Sequence, residues 1–146
     1  MIFRETAIAQ GKSGEDLRDK EGYFLVRNES DDLVCSSATT DKPVGVVHIG
    51  ADKGSPTTYI KPGFSGSVAV KLGSAPGTVK ESTDLVLMAD GRVKALPTTA
   101  GTYMVVATAA ETGEGDQLVK VVLRHPTTCS IGFLLHCPAD PDRRPA

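Results

Sequence analysis

Asp84-Leu85-Val86-Leu87-Met88-Ala89-Asp90-Gly91-Arg92-Val93 decides the fold class. Two β-prone runs flank an Asp-Gly pair, and this predicts a hairpin closed by a type I′ turn. Both central positions of that turn need positive φ, which Asp and Gly tolerate. Upstream, Ser67-Val68-Ala69-Val70-Lys71-Leu72 alternates with a period of two. Val68, Val70 and Leu72 therefore share one face, which is the buried one.

The same rhythm extends to both sides. Tyr23-Phe24-Leu25-Val26-Arg27 and Leu33-Val34-Cys35-Ser36-Ser37 flank the turn cluster Asn28-Glu29-Ser30-Asp31-Asp32 and read as a second hairpin. Val44 to Ile49 follows Pro43, a residue that suits a strand entrance because it has no amide proton to donate to a ladder. Thr57 to Ile60, Tyr103 to Ala110 and Gln117 to Leu123 complete the set. Tyr103 to Ala110 contains helix-favouring Ala and Met, but its Val content and the flanking Gly101 and Gly113 make it a strand. No segment carries a long apolar stripe at helical spacing. The expectation is an all-β domain, a small barrel or sandwich of about 8–10 short strands.

The organisation expected from these runs is an N-terminal arm over residues 1–20, a β domain over 21–125, and a C-terminal extension over 126–146. The arm is polar, and the tail from Pro138 to Ala146 is rich in proline and charge, the composition of an extended segment. A length of 146 residues suits one domain. With no Trp and 5% aromatics, the core has to come from Val, Leu, Ile and Ala.

Lys+Arg 16 against Asp+Glu 18 gives a net charge of -2, with no basic excess to hold a phosphate backbone, so nucleic acid is not an expected partner. No run of about 18 apolar residues could span a membrane. The N-terminus lacks the pattern of a secretion signal, so folding in a cytoplasm is the default expectation. Cys35, Cys129 and Cys137 are an odd set and read as reduced thiols, although Cys129 and Cys137 could pair if the tail folds back.

The search for chemistry yields little. His125, Cys129, His136 and Cys137 are ligand types, but no C-x₂-C pair occurs, and adjacent His136 and Cys137 point to opposite sides of an extended chain. No metal and no cofactor is expected. Cys35 with His48 is the candidate nucleophile and base, but Cys35 sits in an apolar strand, where a thiol is usually structural. Gly11-Lys12-Ser13 lacks the upstream glycine of a phosphate loop, and Gly63-Phe64-Ser65-Gly66-Ser67 lacks the spacing of a nucleophile elbow. No catalytic residue and no small-molecule substrate is assigned.

One family has the same order of segments. Gly14-Glu15-Asp16-Leu17 precedes a hairpin; then come Pro43-Val44-Gly45-Val46-Val47, Pro62-Gly63-Phe64-Ser65-Gly66-Ser67-Val68-Ala69-Val70 and Ala75-Pro76-Gly77-Thr78-Val79-Lys80. Asp84 to Val93 and Gly115-Asp116-Gln117-Leu118-Val119-Lys120-Val121 follow. Over residues 14–124 the chain resembles the head decoration (cement) proteins of tailed bacteriophages. The resemblance implies a virion protein, made in the host cytoplasm, that binds the major capsid protein on the outside of the expanded head. It further implies a homotrimer that stabilises the shell. A ligand that binds only the mature lattice adds its binding free energy to that state, and several linked contacts add avidity. Under this reading Ile2, Phe3, Arg4 and Leu17 of the arm, with Ile131, Phe133, Leu134 and Leu135 near the C-terminus, are the candidate capsid or subunit contacts. Apolar residues outside the strand pattern need a place to be buried, and the alternative for Ile131, Phe133, Leu134 and Leu135 is that they pack on their own barrel. The alternatives are a fibre base, a carbohydrate-binding module (disfavoured by so few aromatics) and a small Cys/His enzyme.

Overall fold

The structure, a computed structural model, describes residues 8–62, 66–73, 78–131 and 135–136. Its strands are β1 (Ile8–Lys12), β2 (Phe24–Arg27), β3 (Leu33–Cys35), β4 (Gly45–Ile49), β5 (Pro56–Ile60), β6 (Ser67–Lys71), β7 (Thr78–Val79), β8 (Asp84–Leu87), β9 (Val93–Ala95), β10 (Gly101–Ala109), β11 (Gly113–Glu114), β12 (Leu118–Ile131) and β13 (Leu135–His136). The fold is all-β, and Val68, Val70 and Leu72 are buried as the alternation requires.

The topology is a duplication. The first sheet has the order β1-β5-β4-β2-β3, and the second repeats it as β6-β12-β10-β8-β9. Each sheet curls until its outer strands meet. Ser13 bridges Leu33 in the first and Leu72 bridges Val93 in the second, both in parallel. The closing hydrogen bonds also correspond, from Gly14 N to Leu33 O (2.7 Å) and from Gly73 N to Val93 O (2.9 Å). Closing a small sheet on itself covers edges that would otherwise invite pairing with other chains. The spacing of the copies is about sixty residues, the length of a compact supersecondary unit rather than a short motif. The duplication lies in topology and register and not in a repeated sequence motif.

Corresponding turns share their backbone. In the first repeat (β1–β5), Asp31 N donates to Asn28 O (2.9 Å) and Asn28 N to Asp32 O (2.9 Å), with Asp31 at φ 64. In the second (β6–β12), Gly91 N donates to Met88 O (3.3 Å) and Met88 N to Arg92 O (2.8 Å), with Gly91 at φ 87. The hairpin expected at Asp90-Gly91 is therefore present, but its turn is not type I′. Only Gly91 has positive φ, so the connection is a three-residue loop ending in one left-handed residue.

Buried side chains form three clusters. The first repeat encloses Leu17, Leu25, Leu33, Val47 and Tyr59. The second encloses Val70, Leu72, Leu85, Val93, Val121 and their neighbours, and Phe24, Val46 and Ile60 of the first repeat belong to that same cluster. A third, smaller cluster joins Val86, Val105, Cys129 and Ile131 where β10 and β12 run past the barrel. Strand β2 is thus buried on both faces at Phe24 and Leu25, one side chain facing the other repeat and one its own.

Two expected boundaries move. Ile8–Lys12 pairs with β5 along its whole length, and Leu17 is 0% exposed, so residues from 8 onward belong to the domain and not to an arm. At the other end, β12 continues past Pro126 to Ile131. It can do so because Pro126 sits in a bulge. The pairs Val105↔Thr127 and Ala107↔Leu123 leave Arg124, His125 and Pro126 opposite Val106 alone, so no ladder bond is asked of the proline. Cys129 is disulfide-bonded and Cys35 is free, which corrects the expectation of reduced thiols throughout.

Candidate functional site

The seam between the repeats is built by one cross-strand ladder. Phe24 pairs with Val46, Val46 with Ile60, and Ile60 with Ile8, so all four side chains lie on the outer face of the first sheet. Phe24, Val46 and Ile60 are buried against the second repeat. Burying three such side chains contributes about 5–8 kcal/mol. Among the described residues two backbone hydrogen bonds cross the seam, from Phe24 N to Gly91 O (2.8 Å) and from Lys71 N to Gly22 O (2.9 Å).

Glycine marks the seam in two corresponding pairs of left-handed residues. A Cβ on Gly22 would meet Leu118 at 2.6 Å and Lys71 N at 3.0 Å, while its counterpart Ser82 (φ 69) is exposed. A Cβ on Gly91 would meet Phe24 O at 3.0 Å, while its counterpart Asp31 (φ 64) is exposed. A side chain is tolerated where the surface is open and absent where the other repeat approaches.

Beyond Phe24 and Val46 the ladder runs out into an apolar cleft of about 350 Å³, lined by Ile8, Ile60 and His48 from the first repeat and by Ala69 and Leu118 from the second. Leu118 is 51% exposed, Ile8 47%, and Val122, two residues along the outer face of β12, 46%. Lys71 stands opposite Leu118, and Lys120 lies between Leu118 and Val122 on the same face. Apolar side chains held out on a rigid sheet with lysines among them make a surface suited to protein contact.

The residues singled out from the sequence fall elsewhere. Leu17 is in the first core and Ile131 in the third cluster, so both are packing residues and neither offers a contact surface. They looked unassigned because neither lies in a strand that the sequence pattern resolves. The backbone of Leu135 pairs with Ile131 in β13. Ile2, Phe3, Arg4, Phe133 and Leu134 lie outside the described residues. The exposed residues Ile8, Leu118 and Val122 were missed. Leu118 and Val122 share a parity with Lys120, opposite to that of Val119 and Val121, and this was the available signal.

The candidate chemical groups are not assembled. The surroundings of Cys35 oppose a thiolate, the Lys20 charge being outweighed. Burial first, and then the Glu15 carboxylate beside it, push the thiol up to about 12. Glu15 instead accepts the Cys35 amide at 3.0 Å, a structural bond. His48 is exposed on β4. Among the described residues no three His, Cys, Asp or Glu side chains converge as metal ligands, and the disulfide removes Cys129 from any such set.

No family model matches the sequence, and no curated protein matches it. The fold is similar to that of a solved structure, the head fiber gp8.5 N base of bacteriophage phi29, with a TM-score of 0.57 and 18% identity over 82% of this chain and 94% of that one. What the chain shares with that fibre base is its fold, over most of both chains.

Proposed function

We propose that this chain is a structural protein of a bacteriophage virion, bound to the outside of the head. The observation that carries the reading is the fold shared with a head fibre base across most of both chains. Two features of the molecule support it. The seam packs the two barrels together through Phe24, Val46 and Ile60, and the exposed strip of Leu118 and Val122 with Lys71 and Lys120 offers a contact face. The partner is the major capsid protein, and the bound form is a homotrimer placed on the expanded shell, which it stabilises by favouring that lattice over its precursor.

Co-sedimentation with purified heads tests this. The chain is expected to pellet with expanded heads at saturable stoichiometry and to raise the temperature at which they release DNA. Equal binding to unexpanded heads, or none to either, contradicts it. A solution mass three times 15.3 kDa supports a trimer formed before binding. A second reading, the base of a head fibre, is favoured by the nature of the compared structure. Electron microscopy of decorated heads separates the two. Density that ends at the volume of this chain supports decoration, and a filament projecting from it supports a fibre base.

A further inference from the structure

The seam has a socket and a plug. The socket is the end of the second barrel, where Leu87 is buried and Gly91 O stands ready to accept. The plug is the outer ladder of the first repeat, whose Phe24 N donates to Gly91 O and whose Phe24, Val46 and Ile60 fill the apolar cluster. Because the fold is duplicated, each repeat also carries the other half of this pair. The first barrel has its own socket and the second has its own plug.

Both spare halves are altered in the same direction. In the first barrel the counterpart of Leu87 is Arg27. Its Nη1 donates to Asp31 O at 2.9 Å, the carbonyl that corresponds to Gly91 O, and its Nη2 donates to the Tyr59 hydroxyl at 3.2 Å. The socket is thus closed by a side chain from the same repeat. In the second repeat the ladder reads Asp84, Thr108 and Val122, since Thr108 pairs with both Asp84 and Val122. Asp84 accepts from Thr108 Oγ1 at 3.4 Å and from Arg124 Nη1 at 3.1 Å.

We propose that Arg27 at one end and the Asp84–Thr108–Arg124 network at the other are end caps that prevent a second copy of this chain from adding head-to-tail through a copy of the seam. The magnitudes favour capping over a polar version of the same contact. The seam gains from three buried apolar side chains, whereas ion pairs already satisfied within each end gain little by exchanging partners. A head-to-tail contact that does not close into a ring grows without limit, so one unblocked pair of ends would turn a discrete subunit into a fibre. Terminal repeats of stacked arrays carry polar outer faces for the same reason.

Light scattering after size-exclusion chromatography tests this. Four chains are compared: wild type, Arg27→Leu, Asp84→Leu/Thr108→Val, and the three substitutions combined. The combined chain is expected to show a mass that rises with concentration to about twofold or more above wild type. Each one-ended chain keeps the wild-type mass alone, and the two form a complex when mixed. A folded combined chain with the wild-type mass at every concentration overturns the proposal, as does a mixture without a complex. Should the combined chain fail to fold, Arg27→Leu decides. Opening the socket is expected to raise the fluorescence of a bound anilinonaphthalene dye about threefold, and unchanged fluorescence overturns the proposal.

Discussion

In the first repeat the outer ladder is Phe24, Val46 and Ile60, all buried; in the second the same register holds Asp84, Thr108 and a half-exposed Val122. The backbones agree in strand order, closing bridge and hairpin turn, so at these ladder positions the difference lies in the side chains. It shows how one fold unit can serve as core on one side and as surface on the other. What decides the role of a position is which neighbour the duplication brings to it.

The largest effect that can break this contrast is expected at Phe24. Phe24→Ala removes the largest side chain of the seam and should destabilise by about 3–5 kcal/mol in chemical denaturation. Its counterpart Asp84→Ala should cost about 1–3 kcal/mol, by leaving Arg124 partly buried without that acceptor. Equal losses at the two positions would break the contrast.

Glycine substitutions sharpen it further. Gly22→Ala meets both a left-handed backbone and the contacts of Leu118 and Lys71, and should cost about 3 kcal/mol. Gly54→Ala has the same sign of φ, 90, with nothing within 4 Å, and should cost about 1 kcal/mol. The excess at Gly22 measures how tightly the repeats approach.

The smallest effect concerns Cys35. Its folded thiol titrates at about 12 against an ordinary 9.0. A raised value means that the native state holds its proton longer than the unfolded chain. Stability from this group is therefore complete below pH 9 and declines as pH rises from there toward 12. Alkylation by iodoacetamide at pH 8 should be far slower in the native protein than in denaturant. Equal rates would place Cys35 outside the first core.

Much of the fold can be read in the sequence because it rests on local signals. The alternation at Ser67 to Leu72 and the hairpin around Asp90-Gly91 depend on parity and turn chemistry, which a single strand pair carries by itself. The duplication is not legible in this way. The two hairpins share Leu25-Val26 with Leu85-Val86 but little else, and their likeness is in register and in the left-handed turn residues Asp31 and Gly91. Leu17 and Ile8 resembled parts of a free arm because their partners, such as Ala51 O for Leu17 N and Ile60 for Ile8, are remote in sequence. The candidate contact face was hidden for a related reason. In Leu118 to Leu123 both parities carry apolar residues, and Lys120 is the single side chain that marks the outward face.

The central claim is that the seam makes one cooperative body of two like barrels. Native-state hydrogen exchange at the amides of Phe24 and Lys71, the two donors that cross the seam, tests it most directly. The account expects both to exchange only with global unfolding, as slowly as the amides inside either barrel. Exchange of both at the rate of exposed loop amides, while the barrel amides stay protected, would show two barrels that merely touch, and would contradict it.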